Sequence, residues 1–285
     1  MKVLVTGVTG QLGYDVMKEL ERRRIQAEAA SREQFDITDE AAVRSFIISA
    51  RPDAIIHCAA YTAVDKAEEE PELCRRINID GTRNIAAVCR DVGAKMIYIS
   101  TDYVFPGTST APYEPDDTTG PQNVYGASKL AGEQAVRELL EKYFIVRISW
   151  VFGVNGKNFV RTMLRFAQSH KELNVVDDQI GSPTYTADLA PLLCSMAETE
   201  KYGVYHATNE GFCSWAQFAE EIFKDAGLDV KVNPIPTSAY PSKAKRPLNS
   251  RLSKACLDAA GFNRLPSWQN AVKRYVKLLT KISVS

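Results

Sequence analysis

Neither sign of charge predominates in this 285-residue chain: Lys and Arg number 35, Asp and Glu number 35, and the formal net charge is zero with His neutral. A protein that grips nucleic acid through its phosphates needs a positive field, so no nucleic-acid partner is expected. Histidine is scarce, and His57, His170 and His206 stand in no H-E-x-x-H or comparable ligand spacing. The cysteines, Cys58, Cys74, Cys89, Cys194, Cys213 and Cys256, form no C-x-x-C pair. A zinc site is therefore not expected, and the thiols read as free and buried, as in a reducing compartment. Long hydrophobic runs are also missing. Nothing approaches the ~20 apolar residues of a spanning helix. The opening Met1-Lys2-Val3-Leu4-Val5-Thr6-Gly7 breaks too soon for a signal peptide. The expectation is a soluble, cytoplasmic protein with no membrane partner. Disorder is excluded by 45% hydrophobic residues and balanced charge.

What is present is an alternation of two periods. Apolar runs at 2–6, 25–31, 53–58, 95–100 and 144–149 read as strands, and helical stripes at 12–24, 39–50, 71–92 and 124–142 lie between them. Asp39 stands near the start of the second helix, Pro52 lies beyond its end, and Gly93 stops the third. Such alternation predicts right-handed βαβ units: an α/β fold, a doubly wound parallel sheet of Rossmann type. Past about residue 150 the rhythm loosens. Helices are expected at 158–169, 187–198, 214–226, 253–260 and 267–281, with short strands at 173–176 and 204–206. Pro234, Pro236, Pro241, Pro247 and Pro266 punctuate that half. Two domains are expected, 1–150 and a smaller mixed unit at 151–285 with segments returning to the first. His57, inside an apolar run, reads as a satisfied core imidazole.

Thr6-Gly7-Val8-Thr9-Gly10-Gln11-Leu12-Gly13 follows the first strand and opens the first helix. Gly7, Gly10 and Gly13 let the backbone turn tightly and approach a pyrophosphate, and free N–H groups at the helix start bind the anion. A dinucleotide is the implied ligand of the first domain; no G-K-[ST] follows, so the loop is not Walker A. An acid ending the second strand would hold the ribose 2′-hydroxyl of NAD. Here stand Ser31 and Arg32, a hydroxyl and a guanidinium that suit a 2′-phosphate, with a solvated surface Arg as the alternative. NADP(H) is the preferred cofactor, NAD(H) the alternative.

Tyr125 and Lys129 are four apart on a predicted helix and share a face. A phenol can give a proton to a carbonyl oxygen as hydride arrives; a neighbouring ammonium lowers the phenol's pKa and can grip the nicotinamide ribose. Y-x-x-x-K also occurs at Tyr14 and Lys18, just after the phosphate loop, where it reads as coincidence. The strand at 95–100 ends in Ser100-Thr101-Asp102, at the sheet edge where α/β proteins bind ligands, so Thr101 or Ser100 could meet the oxygen that Tyr125 protonates.

These residues resemble the extended short-chain dehydrogenase/reductase superfamily and, within it, the dTDP-4-dehydrorhamnose reductase family. The resemblance spans nearly the whole chain. It is carried by the Thr6 to Gly13 loop, by A-A-Y-T-A-V-D-K-A-E from Ala59 to Glu68, by S-T-D-Y-V-F from Ser100 to Phe105, and by V-Y-G-A-S-K from Val124 to Lys129. Later come R-I-S-W-V-F from Arg147 and R-P-L-N-S-R from Arg246. It implies NADPH-dependent reduction of the 4-keto group of dTDP-4-dehydro-6-deoxy-L-mannose to dTDP-L-rhamnose, with a nucleotide-sugar substrate in the second domain. Thr101, Tyr125 and Lys129 match the family's catalytic trio. Gly10, Gln11, Leu12, Asp36, Ile37, Ala59, Ala60, Tyr61 and Lys129 match its dinucleotide lining. Thr62, Val64, Asp102, Tyr103 and Trp150 fall where it meets the sugar, and Asn158, Phe159, Arg246 and Asn249 near the nucleotide.

The residues have their own logic beside that resemblance. Trp150 can offer an aromatic wall to a pyranose, or serve as a hydrophobic cap. Arg246 is a natural partner for a diphosphate. The acidic run 68–70 and Glu72 read as a solvated helix start. Some members of the resembled family join two subunits through Mg²⁺ held by glutamates. The matching positions here hold Asp15, Ala187 beside Asp188, and Gln269, a poor octahedral set, so no metal and a monomer or metal-independent homodimer are expected. Two alternatives stay open: a non-catalytic regulatory subunit of the methionine adenosyltransferase type, and a reductase or epimerase on another nucleotide sugar.

Overall fold

The computed structural model describes residues 1–282. β1 (Lys2–Thr6) leads through α1 (Gln11–Arg22) to β2 (Gln26–Ala30), α2 (Glu40–Ala50) and β3 (Ala54–His57). After α3 (Val64–Ala67), α4 (Pro71–Arg75) continues through a π-helical turn at Arg76–Asp80 into α5 (Gly81–Val92). β4 (Lys95–Thr101), a 3₁₀ turn (Asp102–Val104), α6 (Val124–Leu139) and β5 (Tyr143–Ile148) come next. The later chain holds β6 (Val151–Phe152), α7 (Phe159–Phe166), β7 (Glu172–Val176), β8 (Ile180–Gly181), β9 (Thr184–Tyr185) and α8 (Thr186–Ala197). It continues with β10 (Gly203–His206), β11 (Cys213–Ser214), α9 (Trp215–Ala226), β12 (Lys231–Ile235), β13 (Asn249–Ser250), α10 (Ala255–Ala259) and α11 (Trp268–Ile282). None of the described helices is long and apolar enough to cross a membrane.

The central sheet runs β10-β5-β4-β3-β1-β2 with every pairing parallel. Alternate residues serve opposite faces. Val3, Val5, Ile56, Ile97 and Val146 pack under α1 and α8, while Leu4, Ile55, Met96, Tyr98 and Ile145 pack under α2, α5 and α6. Both β10 and α8 come from the second half of the chain, so residues 151–282 complete the sheet begun by 1–150. Their remainder forms a second core of Phe152, Phe218, Trp268, Val272 and Tyr275 among α7, α9 and α11.

Local chemistry accounts for the helix ends. The Asp39 carboxylate accepts from the Ala42 N–H and caps α2; Asn123 accepts from Gly126 N–H and caps α6. The expected single helix over 71–92 differs in one respect, the π turn. That turn carries Asn78 inward, where its amide brackets the Tyr61 backbone at 2.8 and 3.1 Å and donates to the Ser128 hydroxyl at 2.9 Å. Widened turns of this kind recur at functional sites.

One ion pair has no access to water. Glu133 of α6 and Arg147 of β5 are each 1% exposed and meet through two bonds of 2.9 and 2.8 Å. Ser100 donates to Glu133 at 2.6 Å and Arg147 donates to the Pro115 carbonyl at 2.9 Å. Breaking such a pair leaves a buried charge uncompensated. Glu133→Gln is expected to cost about 3–5 kcal/mol in urea unfolding with an unchanged m-value; a loss below ~1 kcal/mol would show that the pair does not pin α6 to the sheet.

Candidate active site

A cleft of about 760 Å³ opens at the carboxyl edge of β1, β3, β4 and β5, lined by residues of both halves. At one end β1 passes into α1. Gly7 sits at φ +68°, and a Cβ there would lie 2.6 Å from the Ala59 nitrogen. A Cβ at Gly13 would collide with the Gly7 carbonyl. Gly10, the residue before α1, offers no side-chain cap, so the helix presents its own first N–H groups to the cleft. That is a cradle shaped for a phosphate group. Thr6 and His57 brace it: their side chains lie 2.7 Å apart, and the Ala59 N–H donates to Thr6 Oγ1 at 3.1 Å. Burial, and then the charge of Lys129, push the His57 imidazole down to about 3, so it is a neutral core residue. Ser31, Arg32, Asp36, Ile37, Gln11, Leu12, Ala59 and Ala60 continue the lining. Asp36 is held ionised chiefly by the Thr38 N–H and hydroxyl, with Arg32 and Arg76 nearby.

At the centre, α6 and the end of β4 bring Tyr125, Lys129 and Thr101 together in the same lining. Thr101 donates to Asp102 at 2.9 Å and accepts from the Tyr103 N–H at 3.2 Å, and its hydroxyl lies close enough to the Tyr125 phenol to act on its ionisation. Burial pushes the Tyr125 phenol upward in pKa, against the lowering expected from a neighbouring ammonium; desolvation outweighs the other influences on it. Asp102 is raised to about 6 by burial, opposed by the nearby Ser250 hydroxyl and by the Thr101 hydroxyl that donates to it. The second Y-x-x-x-K pair stands apart: Lys18 folds over the Tyr14 ring at 4.5 Å, outside the cleft.

The far wall comes from Thr62, Val64, Tyr103, Trp150 and Arg246. Trp150 adopts φ +50°, unusual for a non-glycine residue, and stacks on Trp215 with ring centroids 3.7 Å apart. Arg246 is already engaged, with Asp65 at 2.7 Å and the Tyr103 hydroxyl at 3.2 Å.

Four expected site residues stand back from the lining. Tyr61 donates to Glu70 at 2.8 Å. Asn158 caps α7 and bridges Gln11, Gly153 and Tyr275, each at 2.9 Å. Phe159 packs on Trp215 and Phe218. Asn249 is buried and donates to the Ala111 carbonyl at 2.9 Å. Conversely, Trp215, Arg76, Asn155 and Lys157 line the cleft without having been singled out. An aromatic residue opening α9 after the Ser214 capping box was the one available signal, for Trp215. The acidic run 68–70 also differs from a solvated helix start. Glu68 accepts from the first N–H of α6, Val124, at 2.8 Å; Glu69 pairs with Lys243; Glu70 takes the Tyr61 hydroxyl.

A glycine-cradled helix start beside a Tyr-x-x-x-Lys pair at the edge of a doubly wound parallel sheet defines a dinucleotide-dependent oxidoreductase of the extended short-chain dehydrogenase/reductase type. The chain belongs to the family described as RmlD substrate binding domain, which matches residues 1–281. It is 45% identical over 276 residues to the dTDP-4-dehydrorhamnose reductase of Streptomyces griseus, covering 94% of this chain and 91% of that one. Among solved structures, the Clostridium acetobutylicum dTDP-4-dehydrorhamnose reductase superposes with TM-score 0.96 at 42% identity, covering 98% of this chain and 100% of the other. The Bacillus anthracis enzyme, solved in complex with NADP, gives 0.95 at 44%, covering 97% and 99%.

Lys129 is a buried cation with a depressed pKa. It is 2% exposed, with its ammonium 4.0 Å from the centre of the Tyr98 ring. Burial pushes it down to about 7, and the Glu133 charge opposes that shift most strongly. Between pH 7 and its ordinary value near 10.5, the unfolded chain binds the proton that the folded chain releases. The folding penalty is therefore full below pH 7 and fades as pH rises toward 10.5. Lys129→Met should stabilise the protein by at least ~1 kcal/mol at pH 6, with the two melting curves converging at alkaline pH. A variant less stable than the parent at pH 6 would contradict this.

Proposed function

We propose that this chain is a cytoplasmic NADPH-dependent reductase. It converts the 4-keto group of dTDP-4-dehydro-6-deoxy-L-mannose to the hydroxyl of dTDP-L-rhamnose, the last step of dTDP-rhamnose biosynthesis. The observation that carries the reading is the meeting of Tyr125, Lys129 and Thr101 in one cleft with the glycine-cradled start of α1. The name and NADP complex of its relatives supply the substrate and cofactor.

In this reading residues 1–150 hold the dinucleotide and also supply most of the sugar pocket, while 151–285, expected to be the main substrate-binding unit, add Arg246 to the cleft and pack behind its wall. Gly7, Gly10, Gln11 and Leu12 hold the pyrophosphate, Ser31 and Arg32 the 2′-phosphate, and Asp36, Ile37, Ala59 and Ala60 the adenosine side and the cleft floor. The dinucleotide, when bound, supplies the hydride. Tyr125 gives its phenolic proton to the ketone oxygen as negative charge develops there. A pKa raised by burial keeps that proton on the phenol until it is needed. Thr101 orients the same oxygen through its hydroxyl, and Lys129 holds the nicotinamide ribose and favours the phenolate once the proton has left. Thr62, Val64, Asp102, Tyr103 and Trp150 shape the sugar pocket, and Arg246 meets the diphosphate. Asn158, Phe159 and Asn249 support that wall from behind.

A proton supplied by Tyr125 leaves no step that calls for a metal. Asp15 is engaged by Thr186, and Asp188 by Arg274 and Asn209, so both carboxylates have partners within the chain. This supports a monomer or a metal-independent homodimer.

NADPH oxidation with a panel of nucleotide 4-ketosugars tests the reading. Turnover should be highest with the dTDP-6-deoxy-4-keto sugar, and tight NADPH binding without turnover on any member would favour a purely binding role. Tyr125→Phe should lower kcat by about 10²-fold or more, whereas Tyr14→Phe leaves it nearly unchanged; equal losses would remove Tyr125 from the chemistry. Arg32→Ala should weaken NADPH by roughly ten- to a hundredfold and leave NADH binding as it was, as paired titrations would show. Parallel weakening of both coenzymes would give Arg32 another task.

A further inference from the structure

Residue Asp65 lies on α3, a helix of four residues, and the segment around Arg246 reaches it from far along the chain. Its carboxylate gathers that segment. Oδ1 accepts from the Ser242 hydroxyl at 3.0 Å and from the Ala244 N–H at 3.2 Å, while Oδ2 takes the Arg246 guanidinium at 2.7 Å. Two neighbours reinforce the contact: Glu69 pairs with Lys243, and Asn123, the cap of α6, donates to the Lys245 carbonyl at 2.9 Å.

The guanidinium is held on three sides. Nη2 donates to Asp65, Nη1 to the Tyr103 hydroxyl at 3.2 Å, and Nε to the Ser242 hydroxyl at 3.3 Å. Of its five N–H groups, one on each terminal nitrogen is left uncommitted. Arg246 lines the cleft, and an arginine with two spare donors fits the oxygens of a phosphate group. On the inner side, the Tyr103 ring meets the Tyr125 ring edge-on, with centroids 5.8 Å apart. A line of contacts thus runs from Asp65 at the rim through Arg246 and Tyr103 to Tyr125.

We propose that Asp65 is a positioning residue for the diphosphate of the substrate: it fixes the Arg246 side chain and folds residues 242–246 over the cleft, so that Arg246 meets the diphosphate already oriented. This deepens the reading given above and rests on it. The carboxylate touches neither substrate nor cofactor. Its contribution is preorganisation, since a guanidinium held by an anion gives up less freedom on binding than a free one. The negative charge of Asp65 also repels the diphosphate, but it is matched by Arg246 itself, and its geometric hold on three donors is the larger effect.

Asp65→Asn keeps the shape and one acceptor oxygen and removes the charge. It should raise KM for the nucleotide sugar and the Kd for dTDP about tenfold, change kcat less than threefold, and leave NADPH affinity unchanged. A merely structural lesion would move NADPH binding and the melting midpoint as well. Arg246→Ala should weaken dTDP binding more, and Asp65→Asn added to it should cost nothing further, because Asp65 acts through that side chain. Asp65→Glu, measured alongside, should recover part of the affinity. Unchanged dTDP binding in Asp65→Asn, or additive losses in the double variant, would overturn the proposal. An unaltered protein that binds NADPH but not dTDP would remove the substrate reading, and this inference with it.

Discussion

Two charges without access to water meet where α6 crosses the sheet, and the geometry of the cleft hangs from them. Glu133 lies one helical turn beyond Lys129 and two beyond Tyr125 on α6, and Arg147 stands on β5. The pair ties the helix to the strand, Ser100 joins from β4, and Arg147 reaches the Pro115 carbonyl in the connection between β4 and α6. An apolar contact could hold these elements together but would permit sliding. A charged pair with its donors and acceptors committed has far fewer alternative arrangements that do not strand a charge. The same carboxylate is the leading influence that opposes the downward push of burial on the Lys129 pKa. Stability and the charge state of the site therefore draw on one residue.

Around that anchor, the cleft joins two kinds of material. The end beside β1 is built around backbone: glycines at a strand–helix turn and the first N–H groups of α1, held rigid by the sheet, with Ser31, Arg32 and Asp36 further along the lining. The opposite wall is made of large side chains: Trp150 stacked on Trp215, Tyr103 edge-on to Tyr125, and Arg246 in a fork of hydrogen bonds. Backbone N–H groups suit a phosphate whatever group is esterified to it, whereas large side chains can discriminate by shape, and the side chains of the opposite wall come from segments between elements.

The sheet was legible because both of its faces are covered, so that its strands appear as short apolar runs and its helices as stripes, with Asp39 and Gly93 marking ends. Tyr125, Lys129 and Thr101 could be placed on one cleft because a single helix and a single strand end carry them. What could not be read depends on partners far away in the chain. The two-residue strands β6, β8, β9, β11 and β13 exist only through their pairings. Pro234 argues against a strand, yet it sits in β12, which has a single neighbour, β7, in a two-stranded sheet. The acids 68–70 look solvated until Val124, Lys243 and Tyr61 arrive. Asn158 carries a cap signal, but nothing local says that its amide also reaches Gln11 and Tyr275. The direction of the Tyr125 shift depends on how deeply the ring is covered, a tertiary quantity that spacing does not contain.

The sixth strand of the central sheet has a consequence for how the chain comes together. β10 pairs with β5, but residues 149–202 separate them. Chain emerging from a ribosome therefore presents every element of the Tyr125 cluster while β5 is still an edge, its Phe144, Ile145 and Val146 lacking their final neighbour. Closing a connection of that length costs loop entropy before any parallel pairing repays it. An apolar edge left open for that interval is a template for pairing with another chain. The late half of the molecule thus has a second task besides adding Arg246 and Trp215 to the cleft: through β10 it covers an apolar edge that would otherwise be open to edge-to-edge association.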